Sequence, residues 1–229
     1  MRRLLVLTYY FPPRGGSGTH RPAAWARHFF QHGYRCTFLT AGESWSSNVA
    51  RELPEYGATK SVEVHKTDIR FYEQLNRVMT SFLSTTCKAF SRILDVQNLW
   101  VLEAMRKGTK LLARDHFDAI LTTSPPYALT LAGALLSQRH NLPWLMDLRS
   151  PWAFALAMPW VGGGGHLLDR LTMRWCCERA SALTFHDRGG MDRMLKDWPW
   201  LQEKPIKWIP NGYEQGVHQS KISQRKNRL

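Results

Sequence analysis

The chain has 229 residues, of which 44% are hydrophobic and 21% charged, a composition that supports a folded core and excludes wholesale disorder or a collagen-like fibre. Its 31 Lys and Arg against 18 Asp and Glu leave a formal charge of +13. Such an excess favours anionic partners, whether phosphorylated ligands, nucleic acid or an acidic lipid surface.

No apolar run in the sequence approaches the roughly 20 residues that a membrane-spanning helix needs. Met1-Arg2-Arg3 before Leu4-Leu5-Val6-Leu7 has the basic-then-apolar look of a secretion signal. The apolar part is short, however, and runs into Tyr9-Tyr10-Phe11-Pro12-Pro13 without a small-residue cleavage site, so it reads as a buried first strand. The four cysteines (Cys36, Cys87, Cys176, Cys177) include one vicinal pair and no Cys-x-x-Cys. That is neither a disulfide framework nor a zinc site and points to a reducing cytoplasm.

Short apolar runs alternate with helical stretches along the chain. Strands are expected at Arg3–Thr8, Arg35–Thr40, Val62–Lys66, Ala119–Thr123, Trp144–Asp147, Ala182–His186 and Ile206–Ile209. Several are continuously apolar, as befits strands buried on both faces. The rhythm predicts a single Rossmann-like α/β domain: a mostly parallel sheet of about seven strands with helices on both faces. Between the first two strands a helix is expected, with Thr19 capping its start, Pro22 in the first turn, a buried stripe of Trp25, Ala26, Phe29 and Phe30, and Gly33 closing it.

Arg70 to Arg114 reads as helical and carries eight Lys/Arg against Glu73, Asp95 and Glu103; it is either a solvated face or a surface for anionic lipid. A helix over His166–Ala180 places Leu168, Leu171 and Trp175 on one face, and Gly162–Gly165 before it reads as a loop. His218–Leu229 has Lys221, Arg225, Lys226 and Arg228 with no acid, too little apolar surface to fold alone. The folded domain is therefore expected over residues 1–213, with 214–229 a basic tail.

Pro13-Arg14-Gly15-Gly16-Ser17-Gly18-Thr19 follows a strand and opens a helix. Glycines there let backbone N–H groups approach an anion, and a helix start adds partial positive charge, so a phosphate or diphosphate fits. Gly15, Gly16, Ser17, Gly18 and Arg21 are the candidate contacts. No acid precedes Glu43, whereas Arg2, Arg3, Arg14, Arg21, Arg27 and Arg35 do. A tight turn without ligand remains the other reading. The Gly-Lys-Ser/Thr ending of a P-loop is missing, and Arg21 stands where a dinucleotide fingerprint has its third glycine.

Further candidates sit where parallel strands end, the edge at which open α/β sheets bind ligands. Ser124, before Pro125 and Pro126, either bonds a substrate hydroxyl or starts the next helix with both prolines in its first turn. Asp147 and Arg149 are either acceptor or phosphate contacts or a structural ion pair. His20 either joins Arg21 at a donor phosphate or decorates an exposed helix start; His186 is either a ligand-edge contact or structural. Trp152 opens an apolar loop running to Val161 that suits an interdomain face, a lipid-linked acceptor or the core. The nine histidines show no metal-ligand spacing.

Residues 7–21 (Leu-Thr-Tyr-Tyr-Phe-Pro-Pro-Arg-Gly-Gly-Ser-Gly-Thr-His-Arg) and Gly33–Thr40 resemble the opening of family 4 glycosyltransferases of the GT-B fold. Thr123-Ser124-Pro125-Pro126, Pro143–Trp152 and Ile209-Pro210-Asn211-Gly212 extend the resemblance in order and spacing. It implies the N-terminal, acceptor-side half of an enzyme transferring sugar from a nucleotide-diphosphate donor to a polysaccharide or lipid-linked acceptor in cell-surface glycan synthesis. It further implies Asp147, Arg149 and Ser124 near the chemistry, the glycine turn at the donor diphosphate, and His20, His186, Trp152 and Asn211 toward acceptor or second domain. Where relatives read Asp-x-Arg-Asp-Pro-Trp, this chain has Ser150 as its second would-be acid, a poor base at neutral pH.

A second domain, with its Glu-x7-Glu type motif, does not follow in the sequence. The alternative expectation is thus a non-catalytic or split half that binds acceptor or pairs with a separate C-terminal partner. The resemblance also implies a cytoplasmic protein, peripheral on the inner membrane face, that needs neither metal nor cofactor. No nucleic-acid motif accompanies the charge, so nucleic acid is not an expected partner.

Overall fold

The computed structural model describes residues 1–12, 18–42, 62–69, 74, 96–149 and 164–212. Seven strands form one sheet: β1 (Arg2–Thr8), β2 (Tyr34–Ala41), β3 (Val62–Thr67), β4 (Ala119–Ser124), β5 (Trp144–Leu148), β6 (Ala182–Phe185) and β7 (Ile206–Trp208). Their order is β3-β2-β1-β4-β5-β6-β7, and every neighbouring pair is parallel. All seven expected strands are present, with ends within a residue of those read from the sequence. The order reverses between β1 and β4, so the crevice at the carboxyl ends of these two strands is the topological switch point.

Five α-helices are described: α1 (His20–Gln31), α2 (Val96–Arg114), α3 (Ala128–His140), α4 (Gly164–Arg179) and α5 (Arg188–Asp197). Side chains alternate across a strand, and β1 supplies both cores. Leu5 and Leu7 join the cluster formed with α2, α3 and α4, while Val6 joins Cys36, Phe38 and Leu121 beneath Ala26 of α1. Helices therefore cover both faces. The predicted anionic-lipid face lies outside the described residues up to Asp95, as do Trp152–Val161 and the tail from Tyr213. Among the described residues no helix is long and apolar enough to cross a membrane.

Three local expectations need correction. Thr19 occupies the N-cap of α1 but makes no side-chain capping bond, being buried with helical backbone angles. Of the expected α1 stripe, Ala26 is buried and Trp25 and Phe29 pack partly buried against the core, but Phe30 is 45% exposed, and the buried positions are Arg21, Pro22, Ala23 and Ala26. In α4 the inner stripe is Met173, Cys176 and Cys177, and Leu171 is 55% exposed. The vicinal cysteines are thus core residues, and burial pushes the Cys176 thiol up to about 11. Gly33, at φ +80°, closes α1 as expected.

Helix α3 approaches the sheet so closely that a Cβ on Gly133 would lie 2.6 Å from both Thr122 Cγ2 and Trp144 Nε1. Trp144 cannot retreat, since its indole N–H donates to Thr122 Oγ1 at 2.9 Å. Gly133→Ala should therefore lower stability by about 1–3 kcal/mol in urea unfolding. Gly108→Ala in α2 meets only the methyl end of Leu136, at 2.9 Å. There the helix-propensity gain of roughly 1 kcal/mol should offset the crowding and leave stability near wild type.

Candidate functional site

Register places one row of side chains across the carboxyl edge: Thr8 opposite Thr123, Thr123 opposite Asp147, and Asp147 opposite Thr184. This row follows Val6, Leu121 and Leu145 by two positions and so faces α1. Asp147 is fully buried in it. Thr123 donates to Asp147 Oδ2 at 2.7 Å and Thr184 to Oδ1 at 2.6 Å. From the first turn of α1, Arg21 adds a two-pronged contact, Nε to Oδ2 at 3.0 Å and Nη2 to Oδ1 at 2.7 Å. A buried carboxylate is tolerable only when its charge and lone pairs are met, and here both oxygens are taken twice.

The remaining arm of Arg21 points elsewhere. Its Nη1 donates to Ile209 O at 2.8 Å and to Pro210 O at 3.4 Å. One guanidinium thus fastens α1 to β5 and to the chain leaving β7. Its N–H groups are directed inward, away from the exposed position of His20. A phosphate would have to displace carboxylate or carbonyl to reach Arg21.

Arg149 follows β5 and is 8% exposed. Its Nε donates to Ser124 O at 3.0 Å and its Nη2 to Pro125 O at 3.4 Å. Burial pushes the guanidinium below the usual arginine range, against the pull of Asp147, Tyr10 and Tyr127, yet arginine stays charged at neutral pH. Its Nη1 would lie 3.0 Å from a Cβ on Gly18, and the Tyr10 ring would lie 2.6 Å from the same atom. Gly18 is therefore required by close approach: a tyrosine and an arginine lean on its backbone. His186, just past β6, hydrogen-bonds the Arg149 carbonyl through Nδ1. A carbonyl only accepts, so Nδ1 carries the proton and Nε2 is the other ring nitrogen.

The structure thus brings Gly18, Arg21, Asp147, Arg149, Ser124 and His186 to one edge. Ser124 is not open to a substrate hydroxyl: it is fully buried, with Oγ 3.4 Å from Asp147 O. Nor does it start α3 with the prolines in the first turn. That helix begins at Ala128 with Tyr127 at the N-cap, and Pro125 and Pro126 precede it, each after a cis bond. Asn211 is exposed beyond β7. Gly15, Gly16, Ser17 and Trp152 lie outside the described residues. Thr123, Thr184, Tyr10 and Tyr127 escaped the sequence reading; the one available signal was a threonine recurring at or next to the end of β1, β4 and β6. Among the described residues no three of His, Cys, Asp or Glu gather as a metal-ligand set.

No protein-family model matches the chain, and no curated protein matches its sequence. Solved structures do match its fold. Phytolacca americana UGT2, complexed with UDP-2fluoro-glucose and pterostilbene, aligns over 98% of this chain and 57% of its own, with a TM-score of 0.60 at 8% identity. Arabidopsis thaliana UGT89C1 complexed with UDP aligns over 99% and 56%, with a TM-score of 0.58 at 11% identity. TcCGT1 in complex with UDP aligns over 97% and 55%, with a TM-score of 0.57 at 10% identity. Identity this low establishes the fold alone, and it is the fold expected: one Rossmann-like half of a GT-B architecture. The chain spans a little over half the length of these structures.

Removing one partner of a buried ion pair strands the other. Arg21→Met should accordingly cost about 3–5 kcal/mol of unfolding free energy, with Asp147→Asn also destabilising. The joint variant R21M/D147N should lose less than the sum of the two, because each change removes the reason for the other's penalty; a double-mutant cycle by chemical denaturation measures this.

Proposed function

We propose that this chain is the N-terminal, acceptor-side half of a family 4-like glycosyltransferase that takes its sugar from a nucleotide-diphosphate donor. The observation that carries the reading is the position of Gly18. It stands at the entry to α1 against Tyr10, which follows β1 at the switch point where the strand order reverses, with the buried cation Arg149 beside it. Ligands of open α/β sheets sit in that crevice, and a helix start with glycines before it suits phosphate oxygens. In sugar transfer the departing diphosphate gains negative charge as its bond to the anomeric carbon breaks and the acceptor oxygen bonds that carbon instead. Fixed donors and cations around it stabilise that charge where it develops.

The division of labour follows from the residues. The glycine turn faces the donor diphosphate, Arg21 and Asp147 hold the edge together, and His186 and Asn211 lie toward the acceptor. A separate C-terminal half supplies the remaining nucleotide and sugar contacts, and no metal takes part. The acceptor is a glycan or a lipid-linked saccharide of a cell-surface polymer, met at the cytoplasmic face of a membrane. The net charge of +13 favours such an anionic surface.

Because the first half of such an enzyme holds only part of the donor site, binding is the appropriate readout. On titration with UDP-glucose, the Gly18 amide and those of the first turn of α1 should shift saturably in a nitrogen–proton correlation spectrum. Unmoved resonances at millimolar donor would reject the nucleotide-sugar reading.

A further inference from the structure

Counting charge inside the edge leaves one cation over. Arg21 and Arg149 are both more than nine-tenths buried, and Asp147 lies between them with both oxygens engaged by Arg21, Thr123 and Thr184. Among the described residues no carboxylate contacts the Arg149 guanidinium. The flanking sequence offers none either, since residues 9–20 and 148–163 contain no Asp or Glu, and the first turn of α1 has no acid. Two carbonyls take Nε and Nη2. These bonds orient the guanidinium but do not neutralise it. A buried charge without a counter-ion is costly, and this one turns its Nη1 toward Gly18, where the chain enters a twelve-residue helix.

The geometry points to an oxyanion as the missing counter-ion: we propose that Arg149 Nη1, above Gly18 at the entry to α1, holds a phosphate oxygen of a diphosphate, and that Arg21 is a positioning residue which never touches it. This deepens the proposed function and rests on the same edge, but it assigns a particular cation and a particular chemistry. A guanidinium is the side chain best shaped for phosphate oxygens, and a helix start beside it adds partial positive charge. The carbonyls of Ser124 and Pro125 hold Nε and Nη2, so the third nitrogen is pre-aimed before any ligand arrives. The diphosphate has two sources, a nucleotide sugar or a polyprenyl-diphosphate acceptor, and both present the same oxyanion to this position.

The test uses the full chain and inorganic pyrophosphate, which carries neither nucleoside nor sugar. Pyrophosphate should bind the wild type and shift the Arg149 Nε–Hε resonance. Arg149→Gln should weaken it at least tenfold, Arg149→Lys should weaken it less, and Lys196→Gln on the exposed face of α5 should bind as wild type. Should R149Q not fold, R149K and the wild-type Nε–Hε shift decide the matter. UDP and geranyl diphosphate then compete as two arms: competition by either supports the proposal and names the source. Full affinity in R149Q, an unmoved Arg149 resonance at saturation, or competition by neither diphosphate would overturn it. If UDP-glucose binds without Arg149, the proposal falls while the nucleotide-sugar reading stands. If pyrophosphate binds through Arg149 and UDP-glucose does not bind, the reverse holds.

Discussion

The Arg21–Asp147 pair is the constraint on which the rest of this edge depends. It joins residues 126 positions apart, and the same guanidinium reaches the chain leaving β7. Through it the first turn of α1 is tied to the carboxyl end of β5 by a two-pronged contact and to the chain leaving β7 by a third nitrogen. The pair is buried beside a second arginine, so its net electrostatic contribution is not simply favourable. What it secures is geometry. Gly18 and the start of α1 are held at a fixed height above Thr123, Asp147 and Thr184, and the crevice at the switch point keeps its shape.

The two arginines therefore divide roles that sequence position alone does not separate. Arg21, inside the motif that suggests phosphate binding, turns inward and serves the scaffold. Arg149, outside that motif, is the cation that no carboxylate contacts among the described residues. Hydrogen-bond donors and charges carry this division, which moves the anion from Arg21 to Arg149.

Much of the architecture was legible because fully buried parallel strands are continuous apolar runs. Leu4–Leu7 and Cys36–Thr40 cannot lie on a wet surface. Less legible was which helix side faces inward. In α1 Trp25, Ala26 and Phe29 do meet the core, but Ala23 escapes the sequence pattern and Phe30 is left outside. In α4 the sequence pattern puts Leu171 in the buried stripe, which Met173, Cys176 and Cys177 occupy instead. The site was legible as a place, at the strand ends, but not as a set of bonds. Whether Asp147 meets Arg21 or Arg149 depends on which way side chains leave α1 and β5, information carried by register across four strands and not by local pattern. Ser124 shows the same limit: its position at a strand end is right, but its hydroxyl turns into the sheet.

Open α/β sheets take their ligands at the carboxyl edge, and the proposed diphosphate has a physical cause there in the buried positive charge of Arg149. Hydrogen–deuterium exchange of the intact chain with and without UDP-glucose tests it most directly. The account predicts slower exchange at Gly18–Ala23 and Asp147–Arg149 on adding the donor, with α5 unchanged. Protection elsewhere, or at neither segment under saturating donor, would contradict it.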